Sequence, residues 1–368
     1  MGSIPQRWRL LSGQNNWQGL LNPLDHDLGS YLIHYGEAVQ AIYDSFVTGG
    51  NSISKDHFFF KTGLGVGQNP FKYYVIKKEF YATSIFMGAS CGVVRDKDKD
   101  EPGNPVSIAG SSKWLGFVAV ANEEGKKVLG RRDILIAFRG TMTTAEACID
   151  AYTSFVSASQ ILGSANNPSV HAGWYKYYTA TNAGSTYNKT SCRDQILSTV
   201  RSLVNQYKGE QMSITVAGHS MGAALATLNA TDIVRNGLNK PAGMTSNADC
   251  PVTAFVYACP RLGNAGFGKV FSGLASLRTL RIRNRPDPVP RYPPKEIGYI
   301  DVGQELVIDT STSPFLRDYD VTAHALQVYL FGLMMASQLA KGSLKLRDEA
   351  DHPNELDDEE TLLRASRL

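Results

Sequence analysis

Residues 214–234 read ITVAGHSMGAALATLNATDIV. The opening, Ile214-Thr215-Val216, has the β-branched apolar pattern of a buried strand. Small and apolar residues at helical spacing follow: Ala223, Ala224, Ala226, Leu228 and Ala230. Between the two runs lies Gly218-His219-Ser220-Met221-Gly222. The pentapeptide G-x-S-x-G is a weak signal by itself. At a strand-to-helix corner it has a mechanical meaning: the glycines permit a sharp turn that holds the serine hydroxyl up from the sheet. Ser220 is therefore the candidate nucleophile.

The rest of the chain supplies strands and helices in alternation. LIHYGEAVQAIYDSF places Leu32, Ile33, Val39, Ile42 and Phe46 on one face of a helix. WLGFVAVA (114–121) and DILIAFRGT (133–141) are strand-like and joined by a polar segment, a hairpin signature. Helical runs are expected at 144–160 and 193–207, strands at 211–217, 252–259 and 277–284, and a packed helix across 324–340. Strands separated by helices imply a mostly parallel sheet flanked by helices on both faces. No internal repeat appears. Residues 1–346 read as one α/β domain, and 347–368 as an acidic, solvated tail. The charged, then Pro/Gly-rich segment 93–107 reads as an exposed loop.

In sheets of this kind the catalytic order along the chain is Ser, then Asp or Glu, then His. Only His324 and His352 follow Ser220. His352 lies in the acidic tail, with no apolar element to hold it within hydrogen-bond reach of a hydroxyl. His324 precedes a long apolar helical run and is the better base. Among the acids, Asp287 lies three residues past a strand, in the proline-stiffened loop RNRPDPVPRYPP, where open α/β sheets place site residues. Asp301 is the reserve, and Asp232, on the helix after Ser220, is expected to face solvent. The tetrahedral intermediate needs donors for its oxyanion. The Met221 N–H, just after the nucleophile, is one candidate. Thr141, at the end of FRGT and beside Gly140, is the other.

FRGT, GHSMGAALATL, YACPRLGN, NRPDPVPRYP and AHALQVYL together resemble the class 3 lipases. WRLLSGQNNWQGLLNPLDHDL, HYGEAVQAIYDSF, VHAGWYKYYT and NKTSCRDQIL resemble, more narrowly, the plant class II phospholipases A1. The matches run from about residue 8 to 332. The resemblance implies an α/β-hydrolase fold with a lid segment after FRGT. It also implies metal-free hydrolysis of the sn-1 acyl ester of glycerolipids. It carries Ser220, Asp287 and His324 onto the triad, and Thr141 with Met221 onto the oxyanion hole. The chain departs from the family pattern at Ala147, where a tryptophan is usual, and at Ala325, Gln327 and Phe331 after the histidine. Ala147, Ala325 and Phe331 are expected to line or adjoin the substrate site.

Composition narrows the remaining choices. A net charge of +3 over 368 residues, with no basic stripe interleaved with aromatics, argues against nucleic acid. Cys91, Cys148, Cys192, Cys250 and Cys259 form no C-x-x-C pair, so metal and redox motifs are absent and no cofactor is expected. The expected partner is a lipid or ester substrate, with transient contact at a lipid interface. The first residues lack an apolar h-region, so secretion is not expected. The location is read as cytoplasmic, or peroxisomal if Ser366-Arg367-Leu368 acts as an address. Two other functions fit a working triad less directly or not at all. One is an esterase or acyltransferase for a specialised metabolite. The other is a non-catalytic binding module, which would be marked by loss of Ser, Asp or His.

Overall fold

The computed structural model describes residues 3–47, 72–83, 112–143, 146, 150–151, 153–243, 250–311, 313 and 322–340. Cys91, Cys148, Ala147, the 93–107 segment and the 347–368 tail lie outside the described residues.

The named elements begin with helices α1 (Ile4–Leu11) and α2 (His26–Val47), then strands β1 (Tyr74–Thr83) and β2 (Ser112–Ala121). Helix α3 (Glu123–Leu129) leads to β3 (Arg132–Phe138). A short excursion follows: β4 (Phe155–Ser157), α4 (Ser159–Leu162), β5 (Ser169–His171) and α5 (Ala172–Thr179). Next come α6 (Cys192–Gln206), β6 (Met212–His219), α7 (Met221–Arg235), β7 (Val252–Tyr257), α8 (Ala265–Ser272), β8 (Leu277–Asn284), β9 (Gln304–Ile308) and α9 (Leu326–Ala340).

Among the described residues, seven strands form the main sheet in the order β1-β2-β3-β6-β7-β8-β9. β1, β2 and β3 pair antiparallel. From β3 to β9 every pairing is parallel. Both faces of the central strands β3, β6 and β7 are buried, and successive side chains go to opposite faces. On β3, Ile134, Ile136 and Phe138 pack with Trp174, Ile196 and Leu225 beneath α5, α6 and α7. Leu135 and Ala137, with Phe255 of β7, pack on the other face with Tyr31, Tyr35 and Leu330 of α2 and α9. This mostly parallel sheet flanked by helices, with a sharp strand-to-helix corner at Ser220 after the central strand β6, is an α/β-hydrolase fold.

Three local expectations change. The hairpin pairing of β2 with β3 is present, but its connection is helical: the Asn122 side chain accepts from the Gly125 N–H at 2.8 Å and caps α3. The segment 155–157, expected to be helical, is extended because it pairs with β5; a partner strand overrode local propensity. Asp232 does not face solvent. It is fully buried, held by Arg193 Nε at 2.6 Å and the Tyr178 hydroxyl at 3.0 Å. Among the described residues, no helix is long and apolar enough to cross a membrane.

Candidate active site

β6 delivers Ser220 to the carboxyl end of the sheet. Ser220 has φ 57° and ψ −127°, a left-handed region that an L-residue enters only under constraint. Its own N–H donates to the Tyr257 carbonyl at 3.0 Å, and its carbonyl accepts the Ala223 N–H at 2.9 Å, so the corner is held from both sides. Gly222 lets α7 approach the end of β3: a Cβ there would lie 2.3 Å from the Arg139 carbonyl oxygen.

The structure brings Ser220, His324 and Asp287 into one hydrogen-bonded line. The Ser220 Oγ lies 2.9 Å from His324 Nε2, and His324 Nδ1 lies 2.9 Å from Asp287 Oδ2. Asp287 is fully buried. It also accepts from the Tyr329 hydroxyl at 2.6 Å and the Val289 N–H at 2.9 Å. Burial by itself would raise its pKa; the bonds from His324 and Tyr329, with the charge of His324, outweigh burial and hold it below the usual carboxylate range. Asp287 therefore stays ionised beside the imidazole. Asn284, at the end of β8, donates to the Ala323 carbonyl at 3.0 Å and to Thr310 Oγ1 at 2.8 Å, tying the base-bearing loop to the sheet. Asp301 is elsewhere, ion-paired to Lys295 and Arg261.

Two backbone donors stand free at this corner. Among the described residues neither the Met221 N–H nor the Thr141 N–H has an internal acceptor. Thr141 is fixed by its side chain, whose hydroxyl donates to Asp150 Oδ2 at 2.5 Å. Asp150 also accepts from the Trp174 indole at 2.8 Å. Burial pushes its carboxyl up to about 6, against the pull of those two bonds. The segment at Met142 and Thr143 is anchored by Glu146. This buried carboxylate takes Arg139 at 2.9 Å, the N–H groups of Met142 and Thr143 at 2.9 and 3.0 Å, and the Tyr177 hydroxyl at 2.8 Å. Burial would raise the Glu146 pKa, but the Arg139 charge and these bonds lower it.

His219, next to Ser220, is no free base. Its Nδ1 lies 2.8 Å from the Tyr43 hydroxyl and its Nε2 2.8 Å from the His324 carbonyl. Burial, then the charge of His324, bring its pKa down to about 3, so it is neutral at ordinary pH. Tyr43 accepts in turn from the Gly140 N–H at 2.6 Å.

Of the expected substrate contacts, Ala325 is half-buried and donates its N–H to the Thr322 carbonyl at 2.9 Å. Phe331 is only 3% exposed and packs in the core with the residues of α2, α9 and the sheet. Ala147 is outside the described residues. Sequence reasoning missed Tyr43, Glu146, Asp150, Asn284 and Tyr329. Only Tyr329 carried a usable signal, one helical turn and a residue beyond His324 at the start of α9.

A lipase (class 3) family model matches residues 135–297. The chain is 44% identical over 341 residues to phospholipase A1-IIgamma of Arabidopsis thaliana, covering 89% of this chain and 78% of that relative. It is 42% identical over 362 residues to phospholipase A1-II 1 of Oryza sativa subsp. indica, covering 95% and 87%. Among solved structures, the Rhizomucor miehei lipase propeptide complex aligns with a TM-score of 0.47 at 20% identity, over 77% of this chain and 68% of that one.

Proposed function

The chain belongs to the plant class II phospholipase A1 family of class 3 lipases, and from that premise we propose that it cleaves the sn-1 acyl ester of glycerophospholipids. That it is a carboxylic ester hydrolase of lipase type follows from the family itself. The finer reading is supported above all by the hydrogen-bonded line from Ser220 through His324 to Asp287.

In this reading Ser220 Oγ attacks the sn-1 carbonyl carbon as His324 Nε2 takes its proton. Asp287 accepts from Nδ1–H, keeps the imidazole in the correct tautomer and steadies its charged form. The N–H groups of Met221 and Thr141 receive the oxyanion. As the tetrahedral intermediate collapses, His324 returns the proton to the leaving glycerol oxygen, and the acyl group stays on Ser220. A water then gives its proton to His324 and attacks the acyl-enzyme. The free acid leaves and Ser220 is restored.

The test is hydrolysis of a phosphatidylcholine with different sn-1 and sn-2 chains. The purified protein should release the sn-1 acid, and Ser220→Ala should lower turnover by about 10³-fold or more. Release of the sn-2 acid, or undiminished release by Ser220→Ala, would overturn the assignment. Cleavage of a p-nitrophenyl ester through Ser220, with the phospholipid untouched, would point to another ester as substrate.

A further inference from the structure

Away from Ser220, the loop that continues from Asp287 covers a cavity of about 440 Å³ beside β8 and the edge strand β9. It lies on the sheet face opposite α2 and α9, because Arg281 and Arg283 alternate with Leu280 and Ile282, which pack under those helices. Arg261 and Arg283 form its inner wall, with side chains 11% and 19% exposed. Arg291 and Lys295 stand at its exposed rim.

The carboxylates here are heavily shared. Asp301 Oδ1 takes Arg261 Nε at 3.0 Å and Arg281 Nη1 at 3.2 Å, while its Oδ2 takes Lys295 at 2.7 Å. Glu305 takes Arg281 at 3.2 Å and Arg283 at 3.0 Å. With Arg291 and Glu296 included, five cations meet three carboxylates, leaving two positive charges over. Asp301 and Glu305 are both held below the usual carboxylate range: burial raises them, and Lys295, Arg281, Arg261 and Arg283 outweigh it. The surplus is therefore a surplus of charge and also of donors. Among the described residues, Arg291 has no side-chain partner, and neither Arg261 Nη2 nor Arg283 Nη1 has an acceptor.

Fixed guanidinium forks around a space of this size suit phosphate oxygens. A phosphomonoester carries about −1.5 to −2 at neutral pH, which matches the excess. Exposed apolar side chains stand close by: Tyr292 and Ile297 on the same loop, and Phe155, stacked on Tyr299 at 4.2 Å. Basic and apolar groups together are what an acidic bilayer surface attracts. We propose that this cavity binds the phosphate of an anionic phospholipid headgroup and docks the enzyme on acidic lipid surfaces. The inference rests on the reading of the chain as a phospholipid hydrolase.

Binding is measured by sedimentation with vesicles of phosphatidylcholine alone and with about 20 mol% phosphatidic acid. Ser220→Ala protein is used so that turnover does not interfere. The parent should bind the acidic vesicles more tightly. Adding Arg291→Gln and Lys295→Gln together should weaken that binding by about 10–30-fold. A control pair, Lys127→Gln with Lys208→Gln, removes equal charge from exposed positions at the amino ends of the strands and should change it far less. Arg291→Gln alone, which breaks no internal bond, should give a severalfold loss even if the double variant melts early. Equal losses in the two pairs, or no loss with Arg291→Gln, would overturn the proposal. So would a melting-temperature rise with inorganic phosphate, lost in the double variant, when phosphatidic acid adds nothing to vesicle binding; the occupant would then be free phosphate. Failure of the sn-1 reading shows up separately, as the wrong acid released by the active protein.

Discussion

Tyr43 of α2 joins the loop after β3, through Gly140, to the loop that carries His324. The proton order is set: the Gly140 N–H donates to Tyr43, Tyr43 donates to His219 Nδ1, and His219 Nε2–H donates to the His324 carbonyl. Only the Nε2–H tautomer of His219 completes this chain, and burial keeps that ring neutral down to about pH 3. Tyr43→Phe would leave the Gly140 N–H and His219 Nδ1 unpaired in a buried place. The expected result is a kcat about 10–100-fold lower on a soluble p-nitrophenyl ester, with KM within about twofold. An unchanged kcat with a raised KM would show that Tyr43 serves substrate binding instead. His219 was visible in the motif. Its partner, 176 residues earlier, was not, because nothing local to either residue encodes their approach.

At the scale of elements, the site depends on how closely α7 and the segment after β3 can pass. Gly222 lies so near the Arg139 carbonyl that one added methyl group meets rigid backbone at 2.3 Å. Gly222→Ala should destabilise the protein by about 1–3 kcal/mol, seen as a lower urea midpoint. A variant with unchanged midpoint and full activity would refute the close contact. The same corner explains what was legible. A strand, two glycines and an alanine-rich helix announce themselves within 21 residues of sequence. Element identity was less secure where pairing decided it. Residues 155–157 became a strand because β5 lies alongside, and the linker between β2 and β3 became α3 through one asparagine cap.

Across the whole molecule the two ends of the sheet have separate tasks. The site gathers at the carboxyl ends of the parallel strands. At the other end Asp133 of β3, fully buried, accepts from the hydroxyls of Tyr35, Tyr74, Ser213 and Thr215 at 2.9, 2.7, 2.5 and 2.8 Å. It also pairs with Arg131 at 3.3 Å, which is itself fully buried. Asp133→Ala leaves that guanidinium without its counter-charge, at a cost of about 3–5 kcal/mol. Urea denaturation should show the loss, while kcat per folded molecule stays at the parent value. A fall in kcat among folded molecules would mean that the charge cluster reaches the site along β3.

Sequence by itself determined the parts that local physics encodes. Hydrophobic period marked most strands and helices, the glycine-serine corner marked Ser220, and chain order singled out His324 and Asp287, the two residues that stand in line with it. Tertiary structure decided what depends on chain segments far apart. It placed Asp301 among arginines, turned Asp232 inward and seated Phe331 in the core. It also surrounded the three singled-out residues with Tyr43, Asn284 and Tyr329. The reason is physical: periodicity and turn chemistry act over a few residues. A buried polar group, by contrast, takes whichever partner the packed sheet brings within about 3 Å.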